Sequence, residues 1–324
     1  MPEYRKDNIT GRLVIVAEER ANRPRQFDID EPVQPLHQRR AKDVICPFCP
    51  GNEDEKPATV DYIGVPQDWR CRAVPNKYPA VCDDGGRHEV IVDTPRHVLS
   101  LCDLTGDEVA DMLRMYKRRL LFYRQEQRWQ YVQIFKNVGA AAGASLPHSH
   151  SQLIAMPFVP PQWTQIFRRA AEYRSETGIC YWCSRLESER ETQERIVETT
   201  PHFIVLCPYV SRFAAEVEIY PAVHQSAFDA LDETEIPELA DVLRRTIQRL
   251  EKTVYWMKDR LAYNVVLNTE SFEHELEFSA SMHWHFSILP SLARAAGFEW
   301  GTALHINPVA PEQAAQRLRD IEIV

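Results

Sequence analysis

Three polar side chains that lie close together in the sequence, His148, His150 and Gln152, are well suited to phosphoryl chemistry. On a β-strand, alternate residues point to the same side, so these side chains would share one face. A neutral imidazole can attack the α-phosphorus of a nucleotide, whereas a glutamine can donate to a phosphoryl oxygen but cannot protonate a leaving group. The pattern therefore predicts transfer rather than hydrolysis, with His150 and Gln152 as catalytic residues. Paired histidines that only bind a metal ion are the alternative.

A run of small residues, 139–145, precedes these histidines. Glycine and alanine allow the backbone to approach a ligand closely, and free N–H groups in such a turn bind phosphate. Alone, a run of this kind is typical of any tight turn. Its position beside the histidine strand favours a phosphate-binding loop.

Four of the eight cysteines form two Cys-x-x-Cys pairs, and each pair is followed by two distant histidines. Prolines and a glycine surround the first pair, which disfavours a thioredoxin-like redox site. Two thiolates and two imidazoles complete the tetrahedral set that zinc prefers, so we predict two structural zinc ions per chain. The predicted ligands are Cys46, Cys49, His97 and His148 in the first set and Cys180, Cys183, His224 and His283 in the second. His274 and His285 are alternative ligands for the second set.

The order of these features repeats in the two halves of the chain. His97 lies eight positions after Glu89, and His224 lies eight positions after Glu216. Strand-like runs and long amphipathic patterns alternate between the ligands, which predicts a duplicated α+β fold with helices on a mostly antiparallel sheet. Prolines at 160–161 mark the predicted boundary between domains 1–160 and 161–324. The predicted strands are 87–92, 131–136, 152–155, 215–220, 263–267 and 285–289. One predicted helix opens with the capping residues 105–108 and runs to about residue 125, and the other runs from 236 to about 258.

The 324-residue chain carries 38 basic and 47 acidic side chains, which gives a formal net charge of −9. This charge argues against general nucleic-acid binding, which requires a basic surface. The sequence has no apolar run of membrane-spanning length and no signal-peptide pattern at its start. Because the cysteines are arranged for metal binding rather than for disulfides, we expect a cytoplasmic protein. From the net charge and the apolar runs we expect neither nucleic-acid nor membrane partners.

Residues 137–152, together with Cys46, Cys49 and residues 20–24, resemble galactose-1-phosphate uridylyltransferases, a family of the histidine-triad superfamily. The resemblance covers nearly the whole chain. It implies two histidine-triad-like domains, a homodimer, and ping-pong transfer of a nucleoside monophosphate through His150, with His148 as a zinc ligand. The substrates would be a nucleotide sugar and a hexose 1-phosphate or inorganic phosphate. The implied binding residues are Arg20 and Arg23 near phosphate, Asn76, Lys77 and Asn137 at the nucleoside, Gly143, Ala144 and Ser145 at the phosphates, and Glu299, in a C-terminal tail, at the hexose.

One position departs from the family pattern, because Ser149 stands where the family has proline between the two histidines. This serine, residues 76–79 and residues 297–308 resemble ADP-glucose phosphorylases, a branch that transfers AMP and uses inorganic phosphate as an acceptor. The transferred group, UMP or AMP, therefore stays open. In the second half Ser287 takes the position of Gln152, so we expect that half to do no chemistry. A histidine-triad hydrolase and a noncatalytic zinc-binding scaffold are the alternative functions.

Overall fold

The structure is a computed structural model that describes residues 2–22, 46–52, 58–253, 261–272, 281–292 and 295–323. Thirteen strands and six α-helices lie within these residues. The strands are β1 (Glu3–Lys6), β2 (Leu13–Val16), β3 (Asp61–Val65), β4 (Asp68–Pro75), β5 (Arg87–Val92), β6 (Tyr131–Val138), β7 (His150–Met156), β8 (Ile196–Thr199), β9 (Phe203–Leu206), β10 (Val217–Pro221), β11 (Tyr263–Asn268), β12 (His285–Pro290) and β13 (His305–Asn307). The helices are α1 (Gly106–Gln125), α2 (Pro161–Thr177), α3 (Tyr181–Thr192), α4 (Ile236–Thr253), α5 (Gly297–Thr302) and α6 (Pro311–Arg319).

Ten of these strands form one antiparallel sheet with the order β3-β4-β5-β7-β6-β11-β12-β10-β9-β8. From the centre outward, every strand of the first half has a counterpart in the second, starting with β6 and β11, which pair with Asn137 opposite Asn264. The predicted α+β duplication is confirmed by this arrangement. The sheet is continuous across both halves, and the domain boundary stays a prediction, although α2 does begin at Pro161. β1, β2 and β13 form a separate small sheet.

The pairing register corrects one detail of the sequence repeat. In the first half Val90 pairs with Gln152, and in the second half Glu218 pairs with Ser287. Val90 therefore corresponds to Glu218, and Gln152 corresponds to Ser287. Glu89 and Glu216, which have the same spacing to a histidine, are therefore one position out of step. Because strand side chains alternate, the two carboxylates point to opposite faces of the sheet. Glu89 binds Arg119 of α1, whereas Glu216 binds Arg212.

Helices α1 and α4 cover one face of the large sheet, where their apolar stripes form the main core. The predicted capping box of α1 is present: the Thr105 side chain accepts the Glu108 N–H, and the Glu108 side chain accepts the Thr105 N–H. The helix ends at Gln125, as predicted, and α4 begins at Ile236, as predicted. The predicted continuation of α4 to about residue 258 lies outside the described residues. No described helix has the length and apolar character needed to cross a membrane.

The opposite face of the sheet is covered unevenly. Helices α2 and α3, which the sequence analysis did not predict, pack there against Tyr131 and strands of the second half. Over the first half, a smaller apolar group lies on this face and contains Phe48, Trp69, Val74, Val90 and Val92. Phe48 of this group packs against His150, the first residue of β7, and against His148 just before it.

Candidate active site and metal sites

The side chains around β7 alternate between the two faces of the large sheet. His150 shares a face with Phe48, and the two ring centroids lie 5.2 Å apart. Gln152 lies two residues further along the same strand and therefore on the same face. Ser149 and Ser151 point to the helix-covered face. The predicted sharing of one face by His150 and Gln152 is thus present in the structure.

A backbone contact orients the His150 ring. Its Nδ1 lies 2.7 Å from the carbonyl oxygen of His148. Because a carbonyl oxygen only accepts hydrogen bonds, Nδ1 carries the proton in the neutral ring and Nε2 keeps its lone pair. Burial lowers the pKa of His150, which favours that neutral form. The imidazole therefore has the tautomer that a nucleophile at Nε2 requires.

Residues 139–145 form a tight turn directly after β6. Gly139 has a φ of +83°, and a Cβ at this position would lie 2.9 Å from the Ala262 side chain. Both the left-handed backbone and the close approach therefore require glycine. Gly143 closes the turn with a φ of +86°.

Some N–H groups of this turn are used within it. The Gly143 N–H donates to the Ala140 carbonyl at 3.0 Å, and the Ala142 and Ala144 N–H groups donate to the Gly139 carbonyl, both at 3.1 Å. The expectation of free N–H groups is therefore wrong for these three amides. Contacts of the turn with phosphate stay a prediction for its other groups, such as the exposed Ser145.

A residue of the second half, Asn264 on β11, holds this turn in place. Its Nδ2 donates to Asn137 Oδ1 and to the Ala142 carbonyl, both at 2.8 Å. With its oxygen engaged in this way, Asn137 has its amide N–H groups to offer a nucleoside. Asn264 could not be predicted from the sequence, because its role depends on the pairing of β6 with β11.

Asn76, which the family resemblance places at the nucleoside, is linked to Gln152 through His88. Asn76 Nδ2 lies 3.1 Å from His88 Nε2, and the same ring nitrogen lies 2.9 Å from Gln152 Oε1. The neighbouring Lys77 is exposed. His88 was missed because a strand histidine carries no sequence signal of its own when no ligand spacing marks it.

Arg20 and Glu299 flank the small sheet rather than the large one, since Arg20 follows β2 and Glu299 lies in α5, just before β13. Desolvation opposes ionisation of Glu299, but the Ala296 N–H lowers its pKa, and the nearby charge of Arg20 adds to this effect. The structure thus places these two residues near each other, in segments that adjoin strands of the small sheet, whereas His150 lies on the large sheet. Arg23 lies outside the described residues.

The first predicted metal set, Cys46, Cys49, His97 and His148, comes together beside the start of β7. Its ligand atoms all lie within 4.8 Å of one another. His148 Nδ1 is 3.5 Å from Cys46 Sγ and 3.6 Å from Cys49 Sγ. His148 Nε2 lies 2.8 Å from the Thr94 carbonyl oxygen, so this nitrogen donates and the lone pair of Nδ1 faces the thiols.

The second predicted set, Cys180, Cys183, His224 and His283, repeats this geometry. Its ligand atoms also lie within 4.8 Å of one another. Cys183 Sγ is 3.3 Å from His224 Nδ1 and 3.5 Å from His283 Nδ1. His283 Nε2 lies 3.0 Å from the Pro221 carbonyl oxygen, which orients the ring in the same way as His148.

The spacing of the ligand atoms suits a tetrahedral metal ion. Metal–sulfur bonds of about 2.3 Å and metal–nitrogen bonds of about 2.0 Å at tetrahedral angles would separate sulfur from nitrogen by about 3.5 Å. The observed separations run from 3.3 Å to 3.6 Å. Burial and the neighbouring Cys46 raise the pKa of Cys49 to about 11, so this thiol is protonated at neutral pH without a metal ion, and metal binding would release the proton. Each set can therefore hold one metal ion.

A buried polar network lies beneath the histidine strand, on the helix-covered face. Lys136 Nζ contacts Asp93 Oδ2 at 2.5 Å, Ser149 Oγ at 2.8 Å and the His150 carbonyl at 3.1 Å. Ser149 and Ser151 also donate to Asp93, both at 2.9 Å. A proline at position 149 could not make these contacts. The departure from the family motif at Ser149 thus joins the histidine strand to a buried ion pair.

The second half keeps an oriented histidine but has different surroundings. His285 Nδ1 lies 3.1 Å from the His283 carbonyl, as His150 does with His148. The buried carboxylates of Glu216 and Glu218 lie on the same face, and both bind arginines, among them Arg12. That this half does no chemistry stays a prediction.

A histidine strand with its metal set, present twice across one antiparallel sheet, defines a histidine-triad-like protein of the nucleotide-transferring type. Residues 76–160 match the N-terminal domain of galactose-1-phosphate uridyl transferase. The chain is 32% identical to ADP-glucose phosphorylase of Arabidopsis thaliana, over 99% of this chain and 93% of that protein. It is 30% identical to galactose-1-phosphate uridylyltransferase of Thermotoga maritima, over 100% of this chain and 99% of that protein.

A solved structure agrees with these relatives. The crystal structure of ADP-glucose phosphorylase from Arabidopsis thaliana with bound ADP-glucose superposes with a TM-score of 0.87, at 31% identity and over the full length of both chains. The chain belongs to the galactose-1-phosphate uridylyltransferase family. It is a nucleotidyltransferase.

Proposed function

We propose that the chain transfers AMP between ADP-glucose and an anionic acceptor, inorganic phosphate or a hexose 1-phosphate, through a covalent intermediate on His150. The observation that carries this proposal is the His150 ring, whose Nδ1 is held by the His148 carbonyl so that Nε2 offers a lone pair on the face shared with Gln152. AMP rather than UMP is supported by the relative named ADP-glucose phosphorylase and by its structure with bound ADP-glucose.

In the first step, His150 Nε2 attacks the α-phosphorus of ADP-glucose. The nitrogen–phosphorus bond forms as the bond from this phosphorus to the bridging oxygen breaks, and glucose 1-phosphate leaves with the electron pair. The ring becomes cationic because Nδ1 keeps its proton. The His148 carbonyl, 2.7 Å from Nδ1, stabilises that charge.

In the second step, an oxygen of the acceptor attacks the same phosphorus and the electron pair of the nitrogen–phosphorus bond returns to Nε2. With inorganic phosphate as acceptor the product is ADP. Neither the departing sugar phosphate nor the acceptor must exchange a proton with the protein, so the amide of Gln152 is sufficient at this position. Gln152 donates to a nonbridging oxygen and stabilises the charge of the transferred group.

Labelling the protein with each candidate substrate tests this reaction. We expect ADP-glucose labelled in its α-phosphate to leave label on denatured protein, and the adduct to be acid-labile and base-stable, as a phosphoramidate is. UDP-glucose labelled in the same way should leave much less. Label from UDP-glucose alone would assign UMP as the transferred group, and label from neither would exclude covalent transfer from these two sugar nucleotides.

We also propose that both Cys₂His₂ sets hold zinc. The donor set and the sulfur–nitrogen separations of 3.3 Å to 3.6 Å support this assignment. Four protein ligands leave no open position, so the metal supplies folding energy and fixes loops. In the first set it ties the turn of Cys46 and Cys49 to His148, two residues before the nucleophile. Thiolate sites of this kind suit a reducing compartment, which supports a cytoplasmic location that cell fractionation can test.

Protein purified without chelator is expected to contain about two zinc ions per chain. Cys46→Ser should lower this value to about one and reduce the unfolding temperature, since one site then lacks a thiolate. Cys82→Ser is the matched control, because this exposed cysteine belongs to neither set. Elemental analysis by mass spectrometry measures the metal. Folded protein without metal would contradict the ligand assignment.

We further propose a homodimer in which the tail of one chain completes the active site of the other. The position of Arg20 and Glu299 at the small sheet, away from the sheet of His150, supports this arrangement. Light scattering measures the mass in solution. An active monomer would exclude the proposal.

A further inference from the structure

The environment of Gln152 contains a histidine for which the reaction itself provides no role. His88 lies on β5, and two residues after it Val90 lies opposite Gln152 in the sheet. Because residues two apart on a strand share a face, His88 is a diagonal neighbour of Gln152. The His88 ring is buried, and its Nε2 lies 2.9 Å from Gln152 Oε1.

The backbone determines the tautomer of His88. The Ala80 N–H donates to His88 Nδ1 at 3.0 Å. A backbone N–H cannot accept, so Nδ1 is the acceptor and the proton of the neutral ring is on Nε2. Burial lowers the pKa of His88, which agrees with a neutral ring.

The Nε2–H group has two polar neighbours, and only one of them can accept it. Asn76 Oδ1 accepts the Tyr78 N–H at 2.8 Å, so the amide group that Asn76 presents to the ring is its donor, Nδ2. Gln152 Oε1 is therefore the acceptor of the His88 proton. With the Gln152 amide reversed, neither of these two neighbours could accept the Nε2 proton.

We propose that His88 is a positioning residue that fixes the Gln152 side chain with its oxygen engaged and its N–H groups available to the transferred phosphoryl group. This inference rests on the proposed function. A freely rotating glutamine would present its oxygen to the anionic phosphoryl group in part of its population, which would be repulsive. The backbone N–H of Ala80, the His88 ring and the Gln152 amide thus form one chain of donors directed towards the ligand.

The second half provides an internal comparison. Glu216, the residue just before β10, takes the place of His88 when the register is extended by one residue, and Ser287 takes the place of Gln152. Both members of the pair are therefore replaced together in the half whose sequence has no Gly/Ala run before His283. This pattern agrees with a joint role for His88 and Gln152.

The rate of adduct formation in a single turnover with labelled ADP-glucose tests the proposal. If only UDP-glucose labels the protein, labelled UDP-glucose is used instead. His88→Phe keeps a ring but has no donor, and it should slow adduct formation about 10- to 100-fold while KM changes less than about threefold. His88→Gln can place an amide N–H where Nε2–H was, so it should recover to within about threefold of the wild-type rate. A residue that only supports the fold would not be rescued in this way.

A double variant isolates the route of the effect. In a Gln152→Ala background, His88→Phe should cause no further slowing, because the group it orients is gone. Equal slowing by His88→Phe in both backgrounds, or a wild-type rate in His88→Phe alone, would overturn the proposal.

A measurement on the wild-type protein does not depend on whether the variants fold. Nitrogen-15 NMR should show His88 with a protonated Nε2 and an unprotonated Nδ1, and the reverse tautomer would overturn the proposal. Failure of the proposed function gives a different result. In that case the wild-type protein forms no adduct, whereas failure of the positioning role leaves an adduct whose rate does not depend on His88.

Discussion

The variant His150→Gly is expected to lose nucleotidyl transfer by at least about 10⁴-fold, because the atom that forms the covalent bond is removed. Its zinc content should stay at the wild-type value. The structure separates the two histidines clearly: His148 Nδ1 faces the thiols of Cys46 and Cys49, while His150 Nδ1 is bound to a carbonyl and Nε2 keeps its lone pair. Steady-state transfer from ADP-glucose, together with elemental analysis, measures both quantities.

His285→Gly is the matched control for this experiment. His285 is buried and is oriented by the carbonyl two residues before it, as His150 is, but it lies in the half that is not expected to do chemistry. Its removal should leave transfer within about threefold of the wild-type rate, provided that the unfolding temperature shows the variant to be folded. Zinc loss in His150→Gly would exchange the roles of His148 and His150. Retained turnover in that variant would exclude a covalent mechanism on this residue.

The features that the sequence predicted are those controlled by nearby residues. Helix α1 begins and ends where expected because its capping box, Thr105 with Glu108, and its apolar stripe are set by spacing within a few turns. The two metal sets were predictable for another reason. Zinc requires particular side chains, and two sets in the same order exclude coincidence as an explanation for the distant histidines.

The features that the sequence did not predict depend on strand pairing between distant residues. Asn264 holds Asn137 from 127 positions away, and His88 reaches Gln152 from 64 positions away. An isolated polar residue in a strand is usually solvated, so neither Asn264 nor His88 could be chosen from composition or spacing. The one-residue offset between Glu89 and Glu216 also appears only in the strand pairing. Loops before a ligand can change length without changing the order of the ligands, so an equal spacing to a histidine does not establish equivalent strand positions.

Lys136 shows most clearly why a burial estimate from residue type fails here. Its place in β6, between apolar residues that face the helices, directs it into the main core, where its side chain is 1% exposed. Charged side chains are rarely buried unless they are paired, and the partner, Asp93, is itself 0% exposed and lies 43 positions earlier in the chain. Only the register of β5, β6 and β7 reveals the pair.

Lys136→Met is therefore expected to lower the free energy of unfolding by about 3–5 kcal/mol, since it leaves the Asp93 carboxylate buried without its cation. Ser149 and Ser151 donate to Asp93, but two hydroxyl groups cannot replace a positive charge. The loss should also reduce transfer, because Lys136 binds the His150 carbonyl and thus supports β7, which carries the proposed nucleophile. Urea unfolding measures the first effect, and adduct formation measures the second.

Two further variants separate burial of the charge from loss of an ion pair in general. Asp93→Asn in the Lys136→Met background removes the unpaired charge and should recover about 1–3 kcal/mol of stability. Asp84→Asn breaks the ion pair of Asp84 with Arg128, whose side chains are 106% and 45% exposed, and should change stability by less than about 0.5 kcal/mol. If Lys136→Met were as mild as Asp84→Asn, the buried pair would not contribute to stability. If adding Asp93→Asn lowered stability further, the cost of Lys136→Met would come from lost side-chain packing rather than from an unpaired carboxylate, because only the carboxylate is relieved by that second change.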